Sequence, residues 1–236
     1  MRLLLTLQYL GTRYAGWQMQ ANAVGIQSVV EEVLARMYGA PIRIEGAGRT
    51  DSGVHALAQR AHYDAPFAIP IRGLTRGMND LLPHDIRIAN IEEVADDFHC
   101  RFAAKSKTYA YQIWNADVMD VFRWETHAHV AQKLDAAKMH EAAQTLKGTQ
   151  DFKRFTVIEP EVSSTIRTIE DISILSPQPS VLKIRVTADG FLRFMVRRIA
   201  GSLIELGRGK EDTVTALTEA RWTAPAKGLV LEEIRY

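Results

Sequence analysis

The stretch VLKIRVTADGFLRFMVRRIAGSLIELG, residues 181–207, changes its hydrophobic period partway along. Up to Ala188 the pattern alternates without a fault: Leu182, Ile184, Val186 and Ala188 fall on one side, Lys183, Arg185 and Thr187 on the other. A period of two is a strand with one buried face. Past Asp189 and Gly190, Leu192, Val196, Ile199, Leu203 and Leu206 recur at steps of three and four, the apolar stripe of a helix that starts at Phe191. A strand followed at once by an amphipathic helix is an α/β unit, and the rest of the chain can be tested for the same grammar.

Upstream, residues 2–10 read as a strand, and Ile26, Val29, Val30, Val33, Leu34 and Met37 follow helical spacing with Gly39 as the stop. Strands are predicted over 41–45, 55–63 and 86–91, and a helix over 74–82. In the second half, residues 108–114 alternate Tyr109, Tyr111 and Ile113 against Ala110, Gln112 and Trp114. A helix over 134–146 closes at Gly148, and residues 229–236 form a last strand. The prediction is an α/β fold of two lobes, residues 1–105 and 106–236, each a mixed, largely antiparallel sheet flanked by helices.

At 236 residues, 47% hydrophobic and 24% charged, the chain reads as ordinary globular protein. Its apolar runs are too short to span a membrane. MRLLLTLQYLG has only one arginine, carries Gln8 and lacks a small-residue cleavage site, so it reads as a first strand and a cytoplasmic location is expected. The single cysteine, Cys100, excludes an internal disulfide and a cysteine metal cluster. Net charge is +1, yet its distribution is uneven: residues 191–210 hold five basic side chains against Glu205, while residues 92–97 hold four acids. A basic surface on a near-neutral protein is compatible with a polyanionic partner.

GAGRTDSGVHA, residues 46–56, places Arg49 and Asp51 among three glycines. A turn-forming aspartate is the plainest account. A phosphate cradle is disfavoured, because neither the Lys-Ser/Thr ending nor the dinucleotide spacing is present. As a functional group, Asp51 would be a carboxylate kept ionised by nearby guanidinium groups, from Arg49 or from Arg193 and Arg197 at i, i+4 on the predicted helix.

GAGRTDSGVHA, KTYAYQIWN and GFLRFMVRRIAG together resemble the signature set of the tRNA pseudouridine synthase A family. GTRYAGWQMQ, GIQSVVEEVL, FHCRFAAKSKTYAY, GTQDFKRF, SSTIRTI and APAKGLVLEEIRY occur in the family's order over nearly the whole chain. The resemblance implies that Asp51 is the catalytic aspartate, Tyr109 the tyrosine that packs on the target base, Arg197 the arginine that pairs with the carboxylate, and Arg49 the loop arginine that handles the flipped nucleotide. It also implies two lobes around a basic cleft, no cofactor and no metal, a homodimer, and as substrate the anticodon stem-loop of tRNA at positions 38, 39 and 40. Arg101, Lys105, Lys107, Arg193 and Arg198 are the expected phosphate contacts, since the deep major groove of A-form RNA favours recognition by shape and backbone. Ser52, the pair Lys153 and Arg154, and the proline-free segment 116–130 depart from the family's usual pattern.

Two other readings compete with this one. A non-catalytic RNA-binding protein would use Tyr109 and Tyr111 as a stacking surface but leaves Asp51 unexplained. A metal-dependent hydrolase would need His127 and His129 on one strand face with His55, His62 or Asp64, a set with no recognised ligand spacing.

Overall fold

The computed structural model describes residues 1–157 and 163–236. Its elements run β1 (Arg2–Tyr9), α1 (Ile26–Tyr38), β2 (Glu45–Gly46), β3 (His55–Asp64), α2 (Ile71–Leu81), β4 (Ile86–Val94), β5 (Ser106–Trp114), β6 (Ala128–His129), α3 (Ala136–Gln144), β7 (Gly148–Asp151), β8 (Ile166–Gln178), β9 (Val181–Ala188), α4 (Met195–Gly207), α5 (Thr213–Glu219) and β10 (Leu229–Arg235). They form two compact units, one of Met1–Lys105 with Leu231–Tyr236 and the other of Ser106–Val230. A contiguous division at 105/106 leaves residues 231–236 with the second lobe; they pack with the first because β10 lies beside β3.

In the first unit the strand order is β4-β1-β3-β10, with β2 on β3. β1 is antiparallel to both β3 and β4. Leu3, Leu5 and Leu7 of β1 are almost wholly buried, as are Ile26 and Leu34 of α1 and Leu74 of α2. Each such side chain contributes roughly 2 kcal/mol by leaving water. Gly39 ends α1 in the left-handed conformation, φ 70°, and donates its N–H to Ala35 O. The strand predicted over 41–45 shrinks to Glu45–Gly46. Its polar groups are taken by α1 instead: Ile44 N–H donates to Glu31 Oε1, and Gln27 Nε2 donates to Ile44 O.

The second unit has the order β5-β9-β8-β7, with β6 parallel to β5 and the other pairs antiparallel. Register pairs Tyr109 with Val186, Tyr111 with Ile184 and Ile113 with Leu182, all buried, so the predicted apolar face is one face of this sheet. α4 is buried along most of its length, from Ile199 to Gly207. α3 is shorter than the predicted 134–146, because Asp135 caps its start by accepting from Lys138 N. The fold is mixed α/β, with helices beside largely antiparallel strands. Among the described residues, no helix is long and apolar enough to cross a membrane.

Candidate functional site

The loop 46–55 joins β2 to β3 and is gripped by the segment that follows β1. Trp17 N–H donates to Thr50 O at 3.0 Å, Gly53 N–H to Tyr14 O at 3.3 Å, and Ser52 Oγ to Tyr14 O at 3.2 Å. Tyr9 Oη and Thr50 Oγ1 share a buried hydrogen bond of 2.9 Å. Gln59, buried on β3, donates from Nε2 to Gly48 O. Within the loop, Val54 N–H returns to Asp51 O at 3.1 Å.

Two glycines make this grip possible. A Cβ on Gly16, whose φ is 94°, would stand 2.4 Å from Thr50 O, and a Cβ on Gly46 would strike the Trp17 indole at 2.5 Å. The permissive backbone therefore serves close packing against the protein, and the loop is stiff. Asp51 is half-buried on it and Arg49 is exposed. Burial pushes the Tyr9 phenol well above its ordinary range, so it remains a neutral partner for Thr50.

In the second unit, α4 begins at Met195 and not at Phe191. Phe194 takes a left-handed conformation, φ 62° and ψ 0°, which no helix interior accepts. Arg193 therefore lies before the helix, and the i, i+4 face predicted for Arg193 and Arg197 does not form. Thr156 Oγ1 donates to Arg193 O, tying down the turn. The two arginines meet by another route: their guanidinium carbons lie 4.8 and 5.1 Å from the centre of the Phe194 ring. Arg197 Nε also donates to Ala224 O at 2.8 Å, and Ala224 N–H donates back to Arg197 O.

Tyr109, 8% exposed, meets Phe191 edge-on at 5.1 Å. Tyr111 donates to Pro225 O, and burial raises its phenol far above the usual range against a smaller opposing effect of the Arg197 charge. Tyr109, Arg193 and Arg197 are thus gathered around the aromatic turn 191–194.

The remaining expected phosphate contacts divide. Arg101 and Lys105 are exposed in the first unit. In the second, Lys107 is half-buried on β5, and Arg198 donates from Nη1 to Thr156 O at 2.8 Å, bracing the turn after β7.

The histidines considered for a metal have structural partners. His55 accepts from Gly11 N–H, His127 bonds Thr126, and His129 bonds Ala116 O. His127 is buried and His129 exposed, so the two do not present one ligand face. Asp64 is paired with Arg2 at 2.9 Å.

Among the described residues only Glu45, His62 and His99 bring possible ligand atoms within 4.8 Å of one another. There His99 Nδ1 accepts from Arg101 N–H, which leaves Nε2 as the protonated nitrogen facing Glu45 Oε2 at 2.9 Å. That is a hydrogen bond within a filled cluster, and it does not fit a metal on Nε2.

The charged groups stand out in the sequence, but what holds them does not: Tyr9, Tyr14 and Gln59 around the loop, and Phe194 under the arginines. The aromatic content of GTRYAGWQMQ was the available signal for the first set.

A family model described as tRNA pseudouridine synthase matches residues 6–103 and 142–236, leaving Tyr109 in the stretch between. The tRNA pseudouridine synthase A of Myxococcus xanthus is 39% identical over 243 residues, covering 100% of this chain and 92% of its own. The protein of the same name from Ruminiclostridium cellulolyticum is 40% identical, covering 98% of each, and that from Solibacter usitatus is 41% identical, covering 100% and 99%. The solved "Crystal Structure of a Cbf5-Nop10-Gar1 Complex" matches 97% of the chain with a TM-score of 0.41 at 13% identity, and the chain spans about half (48%) of the chain it matches there. The chain belongs to the tRNA pseudouridine synthase family, and it is an enzyme of that class.

Proposed function

We propose that this enzyme isomerises uridine to pseudouridine in the anticodon stem-loop of tRNAs, at positions 38, 39 and 40, with Asp51 as the nucleophile. The observation that carries the reading is the fixed loop. Asp51 is half-buried, and its neighbours Gly48, Thr50, Ser52 and Gly53 are each hydrogen-bonded to β3 or to the segment after β1. A nucleophile on such a loop spends little entropy in reaching its reacting geometry.

The reaction breaks the bond from N1 to C1', turns the freed uracil and joins C5 to C1'. The C5 proton is released to a base, so atoms balance without an oxidant or an imported group. Asp51 starts this by attacking C1' or C6, or by assisting removal of the 2' proton, and each route needs the carboxylate ionised. The target becomes reachable only when flipped from its stack.

In this proposal Tyr109 packs on the extruded base and relays a proton, Arg197 is the partner of the carboxylate, and Arg49 handles the flipped nucleotide. Arg101, Lys105, Lys107, Arg193 and Arg198 take phosphates. Two copies of the chain hold one tRNA in the cytoplasm.

The test is tritium release from a tRNA transcript labelled at uridine C5. The wild type is expected to release label, and Asp51→Asn to release none while still binding the RNA, because the change removes the nucleophile and almost no contact area. Full release by Asp51→Asn removes Asp51 from the mechanism. Tight binding by the wild type with no release replaces catalysis by RNA binding.

A further inference from the structure

The turn 99–103 lies outside the chemistry just described, yet it exposes an aromatic ring beside two exposed cations. Phe102 is 77% exposed. Its ring rests on His99, with centroids 4.2 Å apart, and the Arg101 guanidinium stands 5.8 Å from its centre. Arg101 and Lys105 are exposed and form no ion pair among the described residues. The acid that does touch the turn, Glu45, is taken by His99 at 2.9 Å.

The turn is firmly mounted. Ala103 N–H donates to His99 O and Lys105 N–H to Arg235 O. Tyr236 donates to Cys100 O, and Cys100 Sγ donates to Glu45 O. A fixed ring that a folded protein leaves in water, next to exposed cations that form no ion pair among the described residues, has the composition of a surface that stacks a base and holds its phosphates.

Position tells which base. The turn packs on His62, ring to ring at 4.8 Å, whereas the Asp51 loop meets β3 at His55. Seven residue steps along the strand take His55 to His62, roughly 24 Å at about 3.4 Å per step. We infer that Phe102, seated on His99 and flanked by Arg101 and Lys105, is a stacking platform for an unpaired base of the tRNA other than the target uridine. The inference rests on the tRNA reading above and adds a second point of attachment to it. The platform positions substrate and does not touch the reacting atoms.

The test measures tRNA binding and turnover separately, for Phe102→Ala, Phe102→Leu and Phe102→Trp. A lost base stack is expected to raise both Kd and KM about tenfold in the Ala and Leu variants, with kcat unchanged. Phe102→Trp should keep wild-type affinity, and its added indole fluorescence should fall when tRNA binds. Wild-type affinity in Phe102→Ala overturns the inference. Wild-type affinity in Phe102→Leu does so too, since it would show that apolar bulk suffices. A change of oligomeric state in Phe102→Ala by sedimentation assigns the ring to a second copy of the chain and equally overturns it. Binding defects in an enzyme that releases no tritium would leave the platform standing while the catalytic reading fails.

Discussion

Asp51 sits on a loop gripped by main-chain atoms, whereas Arg193 and Arg197 are gathered around an aromatic side chain. In the first unit the holding contacts are Trp17 N–H to Thr50 O and Gly53 N–H to Tyr14 O, with Gly16 and Gly46 leaving room for them. In the second the centrepiece is Phe194, held at φ 62° with a guanidinium on its ring from each of two arginines. Main-chain contacts tolerate no added atom but are indifferent to the identity of most side chains. A ring between cations tolerates small shifts but depends on being a ring. The two segments should therefore fail in different ways.

The largest effect is expected at Gly16. Gly16→Ala demands a positive φ from an L residue and drives Cβ into Thr50 O, costing about 2 kcal/mol or more and lowering the melting midpoint by roughly 6 °C. Gly39→Ala is the control, for φ is 70° there but nothing lies within 4 Å, and it should cost about 1 kcal/mol. Equal losses in thermal melts would show that the close approach at Gly16 contributes nothing.

A smaller effect is expected from Phe194→Leu, which keeps an apolar side chain but removes the ring. Two cation-ring contacts on this half-buried ring are worth about 0.5–1 kcal/mol each, so the melting midpoint should fall by a few degrees and kcat/KM per folded molecule by about fivefold. If the variant unfolds early while activity per folded molecule is retained, the ring holds the fold and not the arginines.

The smallest effect distinguishes the units by pH. Burial, helped by the neighbouring His99, holds the His62 imidazole below its ordinary value. Such a histidine is neutral when folded and gains a proton more readily when unfolded. Its stabilising contribution is therefore complete above the unfolded value, about 6.5, and is lost as pH falls below it. Hydrogen exchange should show protection falling on β3 between pH 7.5 and 5.5 with little change on α4, and His62→Gln should flatten the difference. An equal decline in both units would count against His62 as its source.

Much of this was legible in the sequence because it rests on period. Residues 181–188 alternate cleanly since one face of β9 is buried, and the stripe of α4 is visible since the helix is packed along its length. β8 escaped notice because it alternates poorly: only Ile169 and Ile172 are buried over its thirteen residues. The true start of α4 was not legible either, because the left-handed Phe194 is imposed by tertiary contacts such as Thr156 with Arg193 O. Asp51 and Arg49 could be picked out by their company of glycines. What those glycines touch could not, since Trp17 lies some thirty positions upstream of Gly46.

The placement of β10 has a consequence for how the molecule comes into being. Leu231–Tyr236 belong to the first unit, beside β3, yet the ribosome must make all of Ser106–Val230 before it reaches them. At about 5–20 residues per second, β3 waits on the order of ten seconds with its edge covered only where β2 pairs with Ala61 and His62. Until then the turn 99–105 also lacks its partners Arg235 O and Tyr236 Oη. The nascent first unit is thus a sheet awaiting a strand, and during synthesis that edge is where the chain is most exposed to pairing with the wrong neighbour.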